Sequence, residues 1–342
     1  MMCSPDKKIA IPKIFWEAQN SGTKVSFRGL SVVNESVAWA SGSDGTFTRT
    51  IDGGKTWQTD TIPGTFSLDF RDVQAFDANT AIVISAGRPA KIFKTIDGGK
   101  NWTEKYSNDS KGIFFNSMAF WDAENGIAVG DPIDGYFTII ITSDSGETWS
   151  QVSSENIPPA RVGEANFAAS GTCITVQGKN KAWFGTGGSA ARVFYSADRG
   201  RRWKITDTPV ISGSASMGIF SLAFSDEKNG IAVGGDYRNP TGKARNTAIT
   251  EDGGITWNLI DEGVQPNGYR SCVAYLTNTS GKTLLAVGTT GTDISFDSGF
   301  SWVNIGSVGY HSIGFASSDA AGWAVGSEGR IAKLIDKNRM ME

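Results

Sequence analysis

Short apolar runs that end in glycine recur along the whole chain: Trp39-Ala40-Ser41-Gly42, Ile84-Ser85-Ala86-Gly87, Ile127-Ala128-Val129-Gly130, Ala182-Trp183-Phe184-Gly185, Ile231-Ala232-Val233-Gly234, Leu285-Ala286-Val287-Gly288 and Trp323-Ala324-Val325-Gly326. Runs this short, bounded by turn residues, predict buried strands rather than helices. Upstream of each lies a second apolar segment, beginning near Phe27, Phe70, Phe115, Asn166, Phe220, Tyr269 and Tyr310. We read these as the first, inner strands of seven small sheets and the glycine-ended runs as the second strands.

A polar turn follows at a fixed distance. Thr50-Ile51-Asp52-Gly53-Gly54-Lys55-Thr56-Trp57 recurs around Asp97, Asp144, Asp198, Asp252 and Asp297, each time with a hydroxyl residue two positions before the aspartate and tryptophan five after it. A carboxylate so placed can accept backbone N–H bonds inside the turn, and glycine supplies the positive φ. The tryptophan then enters the next strand, where burial is worth roughly 1.5–3 kcal/mol. From Asp52 to Asp297 the steps are 45, 47, 54, 54 and 45 residues, the length of one four-stranded blade, with an insertion in each of the two longer ones.

A further step reaches Leu334-Ile335-Asp336-Lys337, which lacks the glycines and would place its tryptophan at Met341. The missing last strand is expected at the other end, in Ile14-Phe15-Trp16-Glu17-Ala18, so that N- and C-terminal segments share one blade and leave no free sheet edge at the seam. The predicted fold is all-β: a seven-bladed β-propeller of four-stranded antiparallel blades closed by its N-terminal strand. We expect a tail over residues 1–12 and a single domain over 13–339.

The turns resemble the Asp-box, or bacterial neuraminidase repeat. Over residues 14–336 the glycine-ended strands and near-continuous boxes resemble the photosystem II stability/assembly factor-like propellers. That resemblance implies a scaffold that binds a protein or peptide. Asp-boxes also occur in sialidases and other glycoside hydrolases, so fold is better specified than function.

Composition narrows the classes. With 32 basic and 35 acidic residues interspersed, the chain offers no footprint for nucleic acid. No apolar run approaches a membrane span. Cys3, Cys173 and Cys272 cannot form a disulfide framework or a close metal-type pair, and we expect no metal, no cofactor and a monomer. Cys3 and the following Ser4-Pro5-Asp6 resemble the mature start of a bacterial lipoprotein, which would place the chain outside the cytoplasm.

The aspartates of the boxes, Asp52, Asp97, Asp144, Asp198, Asp252 and Asp297, are expected to be structural. The opposite face carries the blade connections and the candidate site. Aligning the inner strands puts Arg28, Arg71, Asn116, Asn166, Phe220, Arg270 and His311 at one repeated position near the channel mouth. Three arginines there would focus positive potential and, as a surface rim, would be replaceable without loss of the fold. Loops of that face add Arg88, Asp131, Asp134, Arg161, Glu164, Asp236 and Arg238.

Catalytic alternatives find less support. Sialidases need a Phe/Tyr-Arg-Ile-Pro signature, to which Phe27-Arg28-Gly29-Leu30 and Phe70-Arg71-Asp72-Val73 come nearest. Other glycoside hydrolysis needs two carboxylates across a cleft, for which Asp131, Asp134, Glu164 and Asp236 are candidates. Gly185-Thr186-Gly187-Gly188-Ser189-Ala190-Ala191 lacks the following helix of a dinucleotide loop, which disfavours an oxidoreductase. The expected function is a non-catalytic protein- or peptide-binding propeller. A glycan-binding or glycoside-hydrolysing one is the alternative.

Overall fold

The computed structural model describes residues 14–261, 264–317 and 321–337; the N-terminal tail with Cys3, and Met341, lie outside the described residues. The strands form seven antiparallel sheets arranged as a seven-bladed propeller. In the first blade Phe27–Val32 lies innermost, followed outward by Ala38–Gly42, Thr46–Thr50 and Gln58–Thr61. Every residue of Ala38–Gly42 is buried, which is why the second strands read as unbroken apolar runs. Gln58–Thr61 is polar and largely exposed, as an outer edge that must not recruit another strand should be.

The seventh blade comprises Ser312–Phe315, Gly322–Val325 and Arg330–Asp336, with Ile14–Asn20 as its outer strand. Ile14–Asn20 pairs antiparallel with Arg330–Asp336, from Ile14 opposite Asp336 to Asn20 opposite Arg330. Gln19 Oε1 accepts from both Trp57 Nε1 (2.9 Å) and Trp323 Nε1 (3.1 Å), tying the first blade to the last across this seam.

The core lies between blades. Trp39, Phe47, Phe70, Val83 and Phe93 form one cluster between the first two, and Phe137, Phe184, Phe194 and Trp203 another between the third and fourth. Of the six tryptophans after the turns, Trp203 and Trp257 are buried as expected and the other four are not. Trp57, Trp102, Trp149 and Trp302 are half-buried, whereas the fully buried tryptophans, Trp39, Trp183 and Trp323, belong to the second strands.

All six aspartate turns are built alike. Thr50 Oγ1 donates to Asp52 Oδ1 (2.9 Å) and accepts from Gly54 N (2.8 Å); the carboxylate also accepts from Thr56 N (2.9 Å) and Thr56 Oγ1 (2.6 Å). The turns of Asp97, Asp144, Asp198, Asp252 and Asp297 repeat the bond from the hydroxyl two positions before the aspartate and the bond from the backbone N–H four positions after it. These bonds favour the charged form and hold Asp52 and Asp97 at a pKa of about 2. At Asp144, which is exposed, desolvation raises the pKa but the same bonds together outweigh it and again bring it to about 2.

The two insertions converge on one corner of the opposite face. The inner strand of the fifth blade, Ser214–Phe224, is extended, and the short strands Gly187–Gly188 and Glu164–Ala165 join its sheet. This corrects the expected start of the fourth blade. Its inner strand is Ile174–Gln177, and Asn166 lies upstream, with its amide Nδ2 donating to Gly185 O (2.8 Å). Residues 167–172, just after the expected start at Asn166, cross the centre of the ring instead.

Candidate binding site at the channel mouth

The crossing segment plugs the channel and touches six other blades. Ala169 O accepts from Arg28 Nη1 (3.3 Å) in the first blade, Ala168 O from Arg71 Nη1 (2.9 Å) in the second, and Gly171 O from Ser117 Oγ (2.7 Å) in the third. Leu222 N donates to Thr172 O (3.0 Å) in the fifth. Ser170 Oγ donates to Ser271 O (2.7 Å) in the sixth, and Ser170 O accepts from Ser312 Oγ (2.9 Å) in the seventh. Gly171 has φ +72°, and a Cβ there would stand 2.4 Å from a carboxylate oxygen of Asp72. Asp72 is itself buried, accepting from Val73 N (2.8 Å) and Met118 N (2.7 Å), and its burial pushes its pKa well up.

Above the plug lies a cavity of about 350 Å³, whose lining includes Arg28, Arg71, His311, Phe167, Phe220, Tyr237 and Tyr269. Its chemistry divides by sector. Arg28, Arg71 and His311 come from blades one, two and seven, which are adjacent around the ring. Phe220, Tyr237 and Tyr269 come from the far side, in or beside blades five and six. Phe167 of the plug stacks on Phe220 with centroids 3.9 Å apart and planes within 6°, and Tyr269 meets the edge of Phe220 at 4.8 Å.

The polar sector is preorganised. Arg71 Nε donates to Asp69 Oδ2 (2.7 Å). Among the described residues Arg28 forms no ion pair, and burial together with Arg71 holds its pKa below the usual value. His311 Nδ1 lies 2.9 Å from Phe27 O. A carbonyl can only accept, so Nδ1 carries the proton and Nε2 remains an acceptor. Burial and the charge of Arg28 push the pKa of His311 down to about 4, so the imidazole is neutral at ordinary pH.

Arg28, Arg71 and His311 are the candidate residues that the cavity brings together. Arg270 is a correction. Although aligned with Arg28, it is fully buried, with Nε donating to Asp293 Oδ2 (2.7 Å) and Nη2 bonded to the same oxygen. Asp293 is itself buried and needs a counter-charge, so Arg270 turns into its own blade rather than towards the mouth.

Asn116 is likewise fully buried, and its amide donates to Asp131 Oδ1 (2.9 Å), which also accepts from Asn166 N (3.0 Å). Burial raises the pKa of Asp131 to about 6. Glu164 pairs with Arg192 in the interior. Arg161 pairs with Asp207 (3.0 Å) and Arg88 with Asp109 (2.7 Å) on the surface. Asp236 accepts from Arg238 N (2.9 Å). None of these lines the mouth cavity. Phe220 does, as its apolar wall rather than as part of a polar rim. The contributions of Phe167, Tyr237 and the plug carbonyls were missed; the longer spacing before Asp198 was the signal that extra chain had to go somewhere.

Comparison with known proteins places the fold. No family model and no curated protein matches the chain by sequence. Among solved structures, YCF48 bound to D1 peptide is similar, with a TM-score of 0.67 at 18% identity, over 94% of this chain and 96% of that one. YCF48 from Cyanidioschyzon merolae gives 0.66 at 15% identity, over 93% and 98%. The GH74 xyloglucanase from Xanthomonas campestris gives 0.62 at 15% identity, over 94% of this chain but 53% of that one. The chain, a seven-bladed propeller, shares its fold with these YCF48 structures.

Proposed function

We propose that this protein is a non-catalytic propeller that binds a peptide segment of a protein partner at the plugged mouth of its channel. The observation that carries this reading is the two-sided cavity, with Arg28 and Arg71 against one wall and Phe220, Tyr237 and Tyr269 along the other. A peptide offers both charge and apolar side chains, and an arginine without an ion pair in a partly desolvated site can reward an incoming anion. The peptide-bound YCF48 propeller of the same fold supports a peptide ligand.

Glycoside hydrolysis has less to draw on. Among the described residues no carboxylate lines the mouth, and Asp134, in a separate cavity with Tyr136 and Phe137, has no second carboxylate beside it. We read the repeated turns as structural Asp-boxes, residues 13–339 as one domain, and the molecule as a monomer.

The test is the variant carrying Arg28→Gln and Arg71→Gln. A partner captured by wild type from the native organism should bind this variant at least about tenfold more weakly, the equivalent of one charge-assisted hydrogen bond. Its residual affinity should depend less on salt. Equal affinity at two ionic strengths would remove the site.

A further inference from the structure

The mouth cavity has a floor. Residues 167–172 are bonded to six other blades, so a chain that enters cannot thread the channel and must turn back or end. The space above them, about 350 Å³, lies at the small end of ligand pockets, which run to about 1,000 Å³. It suits a chain end better than a looped segment.

The lining also asks for two properties on one small group. Arg28 has five N–H donors, of which one is bonded among the described residues, to Ala169 O. Arg71 keeps Nη2 beyond its bonds to Asp69 and Ala168. Across from them stand Phe220, Tyr237 and Tyr269. An aspartate or glutamate side chain would supply the anion, but its apolar companion would have to come from another residue. The last residue of a polypeptide carries a carboxylate and a side chain on the same Cα. It also carries an N–H, for which His311 Nε2 is the acceptor left open by the bond from Nδ1 to Phe27 O.

We propose that the cavity is a receptor for a free carboxyl terminus, with the terminal carboxylate on Arg28 and Arg71, the terminal N–H towards His311 Nε2, and an apolar or aromatic last side chain on Phe220, Tyr237 and Tyr269. The proposal rests on the peptide-binding reading and narrows it to one end of the partner chain. The plug acts as the stop that selects an end over a passing strand.

The experiment uses fluorescein-labelled random hexapeptide pools with the last residue fixed as Phe, Leu or Gly, each made as the free acid and as the carboxamide. Anisotropy titrations against the whole protein should give affinities at least about tenfold weaker for the amides. The Phe and Leu acids should exceed the Gly acid. Arg28→Gln should reduce the acid-over-amide ratio towards one while the circular dichroism spectrum stays that of wild type. Equal binding of acid and amide pools would overturn the terminus assignment and leave peptide binding standing. Binding of neither pool to folded protein would remove the peptide reading beneath it.

Discussion

On one face of the ring six turns repeat the same hydrogen bonds to within a few tenths of an ångström. On the other, Arg28 and Arg270 meet opposite environments because Arg270 stands one residue earlier in its blade: its N–H donates to Gly234 O as that of Phe27 donates to Gly326 O, and Ser271 takes the place of Arg28 at the cavity. Arg28 lines an open cavity with one backbone partner, and Arg270 is sealed against Asp293. A turn whose donors and acceptors lie within four residues of its aspartate carries its environment with it. At the mouth, one residue of register decides whether an arginine faces the cavity, as Arg28 does, or the third strand of its own blade, as Arg270 does. Sequence symmetry therefore transfers faithfully on the turn face and breaks at the mouth.

The largest expected effect separates the two arginines. Arg270→Gln leaves Asp293 buried without its partner and should cost about 3–5 kcal/mol in urea unfolding. Arg28→Gln should cost under about 1 kcal/mol, because it removes one bond at a cavity wall. The premise that all three arginines form a surface rim does not hold for Arg270, which is buried against Asp293. Similar midpoints for the two variants would restore the symmetry.

Next comes the plug. Gly171 and Gly22 share a left-handed φ, +72° and +74°, but nothing lies within 4 Å of a Cβ at Gly22, whereas one at Gly171 meets Asp72. Gly22→Ala should cost about 1 kcal/mol from strain alone, and Gly171→Ala roughly 2–3 kcal/mol. Equal losses would mean that the plug is loosely held and is no floor.

On the turn face the effects should be smaller and uniform. Asp144 is exposed, so Asp144→Ala should cost about 1 kcal/mol, as for other carboxylates that cap backbone N–H groups at a surface. Because its folded pKa is depressed to about 2, that contribution is present above the unfolded value near 3.8 and is lost as pH falls through about 2. A wild-type-minus-variant difference that stays constant from pH 5 to pH 2 would contradict it.

The smallest effect at neutral pH belongs to His311. The chain has one histidine, so its NMR titration is free of overlap and should centre near pH 4 rather than 6.5. With its folded pKa below its unfolded one, the unfolded chain takes up the proton first. His311 therefore leaves stability unaffected above about pH 6.5 and subtracts from it as pH falls towards 4. A midpoint near 6.5 would make it a third cation of the mouth rather than an acceptor.

Strand order, blade count and the polar turns were legible because each is written at short range. Burial on both faces gives the second strand its unbroken apolar run, and positive φ together with a carboxylate gives the turn its glycine and aspartate. Even the two insertions showed as longer steps between aspartates. Their destination did not show, because the bonds that hold the plug join residues far apart, 141 positions between Arg28 and Ala169 and 142 between Ser312 and Ser170.

By itself, then, the sequence determined a ring of seven similar sheets, since periodic burial and local hydrogen bonds repeat wherever their short motif repeats. The tertiary structure alone decided that Arg28 and Arg71 face a cavity while Arg270 does not, and that Phe167 completes an aromatic wall. Those outcomes depend on which buried carboxylate or inserted carbonyl lies nearest once the ring has closed, and no local spacing records that distance.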